Sequence, residues 1–313
     1  MNRRGFVLGS ALLAACGPRS VGPPPPAPAG LARPEAALPP ELDLGFRLDL
    51  ARVRGALGHS ALVRMRQQAA ERMGGQPEHE RMIADLLLHS DVMLLALRPS
   101  IKVSQLDHVL ICRGRLGDFE PRSYALEPRF GPAMDLGADL RRHDRDSRKR
   151  IEPARIYLSA ADMVVLVTPA AIDSVERRVE EGVLDAALEP PAKGLLSVAA
   201  RGPALAQWVE GRSTRLAALL SQSKEVSGHA DLNAASLVAN VTLTVDDGET
   251  ATAIADALRT LGRAFAELVP RAEPLIRAVR VSAVDAKVVL DIELPIEQLE
   301  PFVRDDSERK EAG

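Results

Sequence analysis

Glu41-Leu42-Asp43-Leu44-Gly45-Phe46-Arg47-Leu48-Asp49-Leu50 alternates polar or small residues with apolar ones without a break. Successive side chains of a strand point to opposite sides, so period two predicts a strand with one buried face. The folded part of the chain therefore opens on a strand. Ser60 then suits the cap of a helix carrying Leu62, Met65, Ala69 and Met73 on one face, stopped by Gly74-Gly75. A second helix is expected over Glu80 to Leu88, and strands over Asp91 to Leu97 and Leu106 to Leu116. Pro121 to Pro153 is the least regular part and ends in the charge cluster Arg141 to Arg150. Arg155 to Leu158 and Met163 to Val167 read as strands. Thr168 and Pro169 suit the cap and first position of a helix with Ile172, Val175 and Val179 inward, closed by Gly182.

Glu189-Pro190-Pro191 marks a boundary. Beyond it, Leu195 to Ala200 is a strand and Leu205 to Leu220 is helical with a break at Gly211. Leu237, Ala239, Val241, Leu243 and Val245 alternate as a strand. After Asp247, Ile254, Leu258, Leu261, Phe265 and Leu268 form the clearest helical stripe of the chain. Arg280 to Leu294 reads as a hairpin turning at Asp285-Ala286, and Ile296 to Val303 as a short closing helix.

The two stretches share one order: strand-helix-strand-strand-helix-strand-strand-helix. The expectation is an α+β fold made by tandem duplication over residues 41–183 and 194–304, with the first copy's inner helix degraded and a charged tail at 305–313. Val53-Arg54-Gly55 and Ala200-Arg201-Gly202 are taken as the equivalent ends of the first strand. Strands joined by hairpins imply mostly antiparallel sheets with helices on one face.

The opening of the chain carries an address. Arg3 and Arg4 precede an apolar run from Phe6 to Ala15, which ends at Leu13-Ala14-Ala15-Cys16. The run is too short to span a bilayer, which takes about 20 apolar residues, and suits the apolar region of an export signal. This ending resembles the lipobox of bacterial lipoproteins. The resemblance implies that residues 1–15 are removed and that Cys16 is the lipidated first residue of the mature chain. More than one acyl chain gives stable membrane attachment. Arg3-Arg4-Gly5-Phe6-Val7 also resembles a twin-arginine signal, though no Ser or Thr precedes the pair. Both this route and the general secretory route stay open. Gly17 after the cysteine resembles the outer-membrane default of such lipoproteins, which implies the periplasmic face of the outer membrane. Residues 16–40 then form a tether, with nine of the 23 prolines between Gly17 and Pro40. At about 3.1 Å per residue it reaches on the order of 70 Å when extended. The layout as a whole resembles uncharacterised duplicated lipoproteins of the Gram-negative envelope.

Composition narrows the function classes. The net charge is −3, and loss of Arg3 and Arg4 takes it to −5, so the chain has no broad electrostatic hold on nucleic acid. Aromatic residues are only 3%, which argues against ring-stacking platforms. There are two cysteines, Cys16 and Cys112. Acylation of Cys16 leaves Cys112 without a disulfide partner, and its setting beside Leu110 and Ile111 suits a buried core thiol. Ser221-Gln222-Ser223-Lys224 matches the Ser-x-x-Lys of penicillin-interacting enzymes. No Lys-Thr-Gly strand accompanies it, so it reads as a polar helix end. His59, His79, His89, His108, His143 and His229 show no metal spacing. Arg141 to Arg150, with its embedded aspartates, reads as a solvated loop. No cofactor and no catalytic residue is assigned. The leading expectation is a non-enzymatic, lipid-anchored envelope module that binds or scaffolds a protein partner. The alternative is an envelope hydrolase with a site between the two halves.

Overall fold

The alternating stretch becomes β1, Leu44–Asp49, near the middle of one large sheet. The computed structural model describes residues 33–58, 63, 77–98, 107–124, 130–137, 139–145, 154–159, 162–182, 187–211, 213–233, 235–269 and 273–298. The helix expected after Ser60 falls mostly outside them, as do Cys16, the tether up to Ala32 and the tail. After β1 come α1 (Leu50–Leu57), α2 (Pro77–His89), β2 (Ser90–Arg98), β3 (Asp107–Gly114), β4 (Met134–Asp135), β5 (Leu140–Arg145), β6 (Ala154–Ser159), β7 (Met163–Val167) and α3 (Ile172–Val179). The second half follows with β8 (Leu196–Arg201), α4 (Gly202–Glu210), α5 (Thr214–Leu220), β9 (Glu225–Leu232), β10 (Ser236–Thr244), α6 (Gly248–Leu268), α7 (Glu273–Arg277), β11 (Val279–Val284) and β12 (Lys287–Pro295).

Local chemistry starts α5 and α6 where expected and α1 where a strand end was expected. Asp49 accepts from the Arg52 N–H at 2.9 Å to cap α1, Ser213 caps α5, and Asp247 accepts from the Thr250 N–H at 2.7 Å to cap α6. The β11–β12 hairpin turns at Asp285-Ala286, with Asp285 at φ 51° in the left-handed region.

All twelve strands join in one sheet, in the order β11-β12-β10-β9-β8-β1-β2-β3-β7-β6-β5-β4, and all their pairings are antiparallel. The fold is α+β, with a single sheet in place of the separate sheets expected. The two halves meet at β1 and β8, where Leu44 lies opposite Ala200, Phe46 opposite Val198 and Leu48 opposite Leu196. One sheet face is covered along both halves. Under α2 it packs Met82 and Leu86 on Leu110, Cys112, Leu158 and Val164. Under α4, α5 and α6 it packs Ala206, Leu220 and Ile254 on Ala200, Leu243 and Val288.

The other face differs between halves, which corrects the expectation of helices on one face only. In the first half Val175 and Val179 of α3, with Ala37, Leu38 and Leu42, cover Leu94, Ile111, Val165 and Tyr157. Strands with apolar residues on both sides need two covers. In the second half the same face carries the cross-strand row Ser197, His229, Asn240, Asp291 and Arg280, and beside it Ser227, Thr242, Val289 and Ser282.

Four further readings change. Leu140–Arg145, expected as loop, is a strand, because β6 offers a free edge and Leu140 and His143 are buried by it. β9 was not foreseen: its inward residues include Gly228 and Ala230, whose small side chains leave a weak apolar signal. Val53-Arg54-Gly55 lies inside α1, whereas Ala200-Arg201-Gly202 runs from β8 into α4, so the two triplets are not equivalent. Thr168 makes no side-chain cap; its hydroxyl donates to the His108 carbonyl at 2.9 Å and accepts from the His108 N–H, tying α3's approach to β3.

Close packing makes one glycine a sharp test. A Cβ on Gly202 would lie 2.0 Å from the Ser223 carbonyl oxygen, whereas Gly211, helical at φ −66°, has open space. Gly202→Ala should lower stability by roughly 3 kcal/mol through overpacking. Gly211→Ala should raise it by about 0.4–1 kcal/mol through the unfolded chain. Urea midpoints of the two variants check both signs.

Candidate functional site

Among the described residues, two clusters outside the apolar cores and one thiol within them hold the chemistry on offer. The first is a groove of about 620 Å³ at the junction of the halves, with Asp43 on one side and Arg201, Gln207, Ser221, Lys224 and Asp246 on the other. β1 brings Asp43 there, the β8–α4 corner brings Arg201, and the α5–β9 turn brings the Ser-x-x-Lys stretch. The structure commits these side chains locally. Lys224 Nζ pairs with Asp246 at 2.6 Å, and Arg201 pairs with Asp43 at 3.2 Å. The Ser221 hydroxyl donates to the Ala218 carbonyl and the Ser223 hydroxyl to the Leu220 carbonyl. Both serines thus cap the end of α5, as a polar helix end does, and the amine is held by a carboxylate. No hydrogen bond joins either serine to Lys224 among the described residues.

The second cluster lies on the first half's α3 face and was not legible in the sequence. Alternation along β5 and β6 puts Arg142, Asp144, Arg155 and Tyr157 on one side, facing Glu176 and Glu180, which stand one turn apart on α3. Arg142 Nη1 reaches Glu180 at 2.8 Å and Arg155 Nη1 reaches Glu176 at 3.0 Å. Asp144 bridges both guanidiniums, at 3.2 Å to Arg142 and 2.7 Å to Arg155. The Tyr157 hydroxyl accepts from Arg155 and donates to Glu180 at 2.9 Å. Burial pushes the Tyr157 phenol up, with Arg155 pulling the other way and Glu180 adding to the rise, so the hydroxyl keeps the proton it donates. The arginines are about one-eighth exposed. The network clamps α3 to the sheet. A sequence signal existed in Glu176 and Glu180 at helical spacing, but their partners are some 20 to 40 residues away.

The third is Cys112, fully buried between Leu110 and Val164 in the core beneath α2. Burial pushes its thiol up to about 12, with the neighbouring Ser90 hydroxyl pulling the other way. This is the core thiol the sequence indicated.

The remaining sequence candidates are dispersed. His89 ends α2, His108 lies on β3, His143 on β5 and His229 on β9, while His59 and the side chain of His79 lie outside the described residues. His143 is completely buried, its Nδ1–H donating to the Gly131 carbonyl at 3.0 Å. Burial, and then Lys193, push the His229 imidazole down. No group of three or more His, Cys, Asp or Glu side chains converges as a metal site among the described residues. Within the charge cluster, Arg141 to Arg145 belong to β5; residues 146–150 lie outside the described residues. No helix among the described residues is long and apolar enough to cross a membrane.

No family model matches the chain, and no curated protein matches it. Solved structures do. Crystal form III of TP0453 matches with a TM-score of 0.48 and crystal form I with 0.47, each at 8% identity and each aligning 87% of this chain with 97% of that one.

Two outcomes follow from the geometry. Arg155→Met should cost roughly 2–3 kcal/mol, because it strands partly buried carboxylates, while Lys224→Met, in an exposed pair, should change stability by less than about 0.5 kcal/mol. Denaturant titration separates the two. In a Cys16→Ser chain at pH 8, Cys112 should resist iodoacetamide while folded and react fully once unfolded; mass spectrometry of the timed reaction reads this.

Proposed function

We propose that this chain is a lipid-anchored cell-envelope protein whose body is a non-enzymatic binding or scaffolding module. The observation that carries the reading is the polar face of β9, β10, β12 and β11, opposite the helices, whose side chains are half-buried to exposed. Four strands at about 4.8 Å present a surface on the order of 19 Å wide. Its row of His229, Asn240, Asp291 and Arg280 side chains is half-buried to exposed, and Asn240 donates to Asp291 at 2.8 Å, whereas Ser197 on β8 is buried with its hydroxyl on the Pro191 carbonyl. A flat polar sheet face of this width suits a protein partner better than a small substrate. The Leu13-Ala14-Ala15-Cys16 ending supports attachment through Cys16, and the proline-rich stretch supports a stand-off from the membrane surface.

The body is, on this reading, a tandem duplication. The strand order supports it: outward from the β1–β8 join, β1-β2-β3-β7-β6 on one side matches β8-β9-β10-β12-β11 on the other. Each side has one helical stretch between its first and second strands. α6 then occupies the place that β4, β5 and their loops hold in the first half. A second reading, an envelope hydrolase with its site between the halves, is favoured by the junction groove shared by Asp43 and Arg201.

The anchor decides where either activity would be sought. Expressed in a Gram-negative host, the wild type should gain acyl mass and sediment with membranes, and Cys16→Ser should do neither. Equal solubility and unmodified mass in both chains would defeat the proposal.

A further inference from the structure

The two ends of the sheet are treated differently. At the first-half end the last strand, β4, is only two residues long, which leaves little edge to extend. At the other end β11 runs for six residues. Its backbone polarity follows from the register. The Ala278 carbonyl accepts from the Glu293 N–H, so Arg280, Ser282 and Val284 turn their backbone groups toward β12. Val279, Val281 and Ala283 therefore turn theirs out of the sheet.

The central one of these is taken. The Val281 carbonyl accepts from Arg259 Nε at 3.1 Å and Nη2 at 2.8 Å, the guanidinium reaching round the edge from α6. Arg259 also pairs with Asp256 on its own helix at 2.5 Å, which holds the guanidinium in place. We propose that Arg259 keeps the β11 edge closed against β11 of a second copy of this chain.

The strand is self-complementary. Paired antiparallel about a two-fold at Val281, it sets Val281 against Val281, Val279 against Ala283 and Arg280 against Ser282, so no like charges meet. The two central hydrogen bonds of that pairing both need the Val281 carbonyl that Arg259 occupies. The fold already contains a join of this kind: β1 and β8 pair antiparallel with helices of both halves on the same face. Pairing two β11 edges also brings two Arg259 side chains to the axis, where their like charges oppose association.

The test is the mass of the full chain by sedimentation equilibrium, with Cys16→Ser in every sample so that no acyl anchor intervenes, and far-UV circular dichroism confirming the fold. The chain with Arg259 intact should stay monomeric at tens of micromolar. Arg259→Met, which keeps the packed stem, and Arg259→Gln should each double in mass, so either alone carries the test if the other misfolds. Adding Ser282→Arg places two arginines opposite each other and should return the monomer. Adding Ser282→Glu, opposite Arg280, should tighten the dimer about fivefold. Folded Arg259 variants that remain monomeric would overturn the proposal. So would a dimer indifferent to the charge at residue 282, because it would use another surface.

Discussion

The pairing of β1 with β8 is the constraint on which the rest depends. It joins residues 148 to 156 apart in sequence, and it turns what would be two edges into the centre of one sheet. Backbone bonds extend it at both ends, with the Arg201 N–H on the Asp43 carbonyl and the Asp49 N–H on the Leu195 carbonyl, each at 2.8 Å. The exposed Arg201–Asp43 ion pair adds little to this. The boundary Glu189-Pro190-Pro191 takes part directly. Pro190 lies over Gly45 so closely that a Cβ there would meet its ring at 3.0 Å, and the Ser197 hydroxyl donates to the Pro191 carbonyl. The linker is thereby laid across the join it connects.

Once the sheet is continuous, burial decides what each face must carry. β2, β3 and β7 are apolar on both sides, so the first half needs α2 on one face and α3 with residues 36–42 on the other. The cover on the second face is held by charge as well as by Val175 and Val179, through the arginines of β5 and β6 on Glu176 and Glu180. Charges this close to a core are tolerated because several hydrogen bonds converge on each. β9, β10, β12 and β11 alternate instead, and their polar side stays half-buried to exposed. Asymmetry between the halves thus comes from side-chain pattern laid on a shared strand order.

The polar groups that might have carried chemistry are absorbed by the same economy of contacts. Ser221 and Ser223 end a helix, Lys224 answers Asp246, Cys112 fills a core position and His143 donates to the Gly131 carbonyl. What is left toward solvent on a regular element is the row from His229 to Arg280, which is why a binding surface is the reading the geometry favours.

The sequence alone determined the elements whose signal is local. Strict alternation placed β1 and β10, the Ile254 to Phe265 stripe placed α6, Asp285-Ala286 placed the hairpin, and the apolar neighbours of Cys112 marked it as core. The periodic burial of one face is written in consecutive residues, so it survives without knowledge of any partner. Tertiary structure alone decided that the two halves share one sheet, that Arg142 to Arg145 form a strand, that Gly228 and Ala230 line a buried face, and that Arg259 sits on the Val281 carbonyl. Each of these depends on a neighbour far along the chain. A charged or small residue is silent about burial until the surface opposite supplies a counter-charge, a free edge or a tight approach.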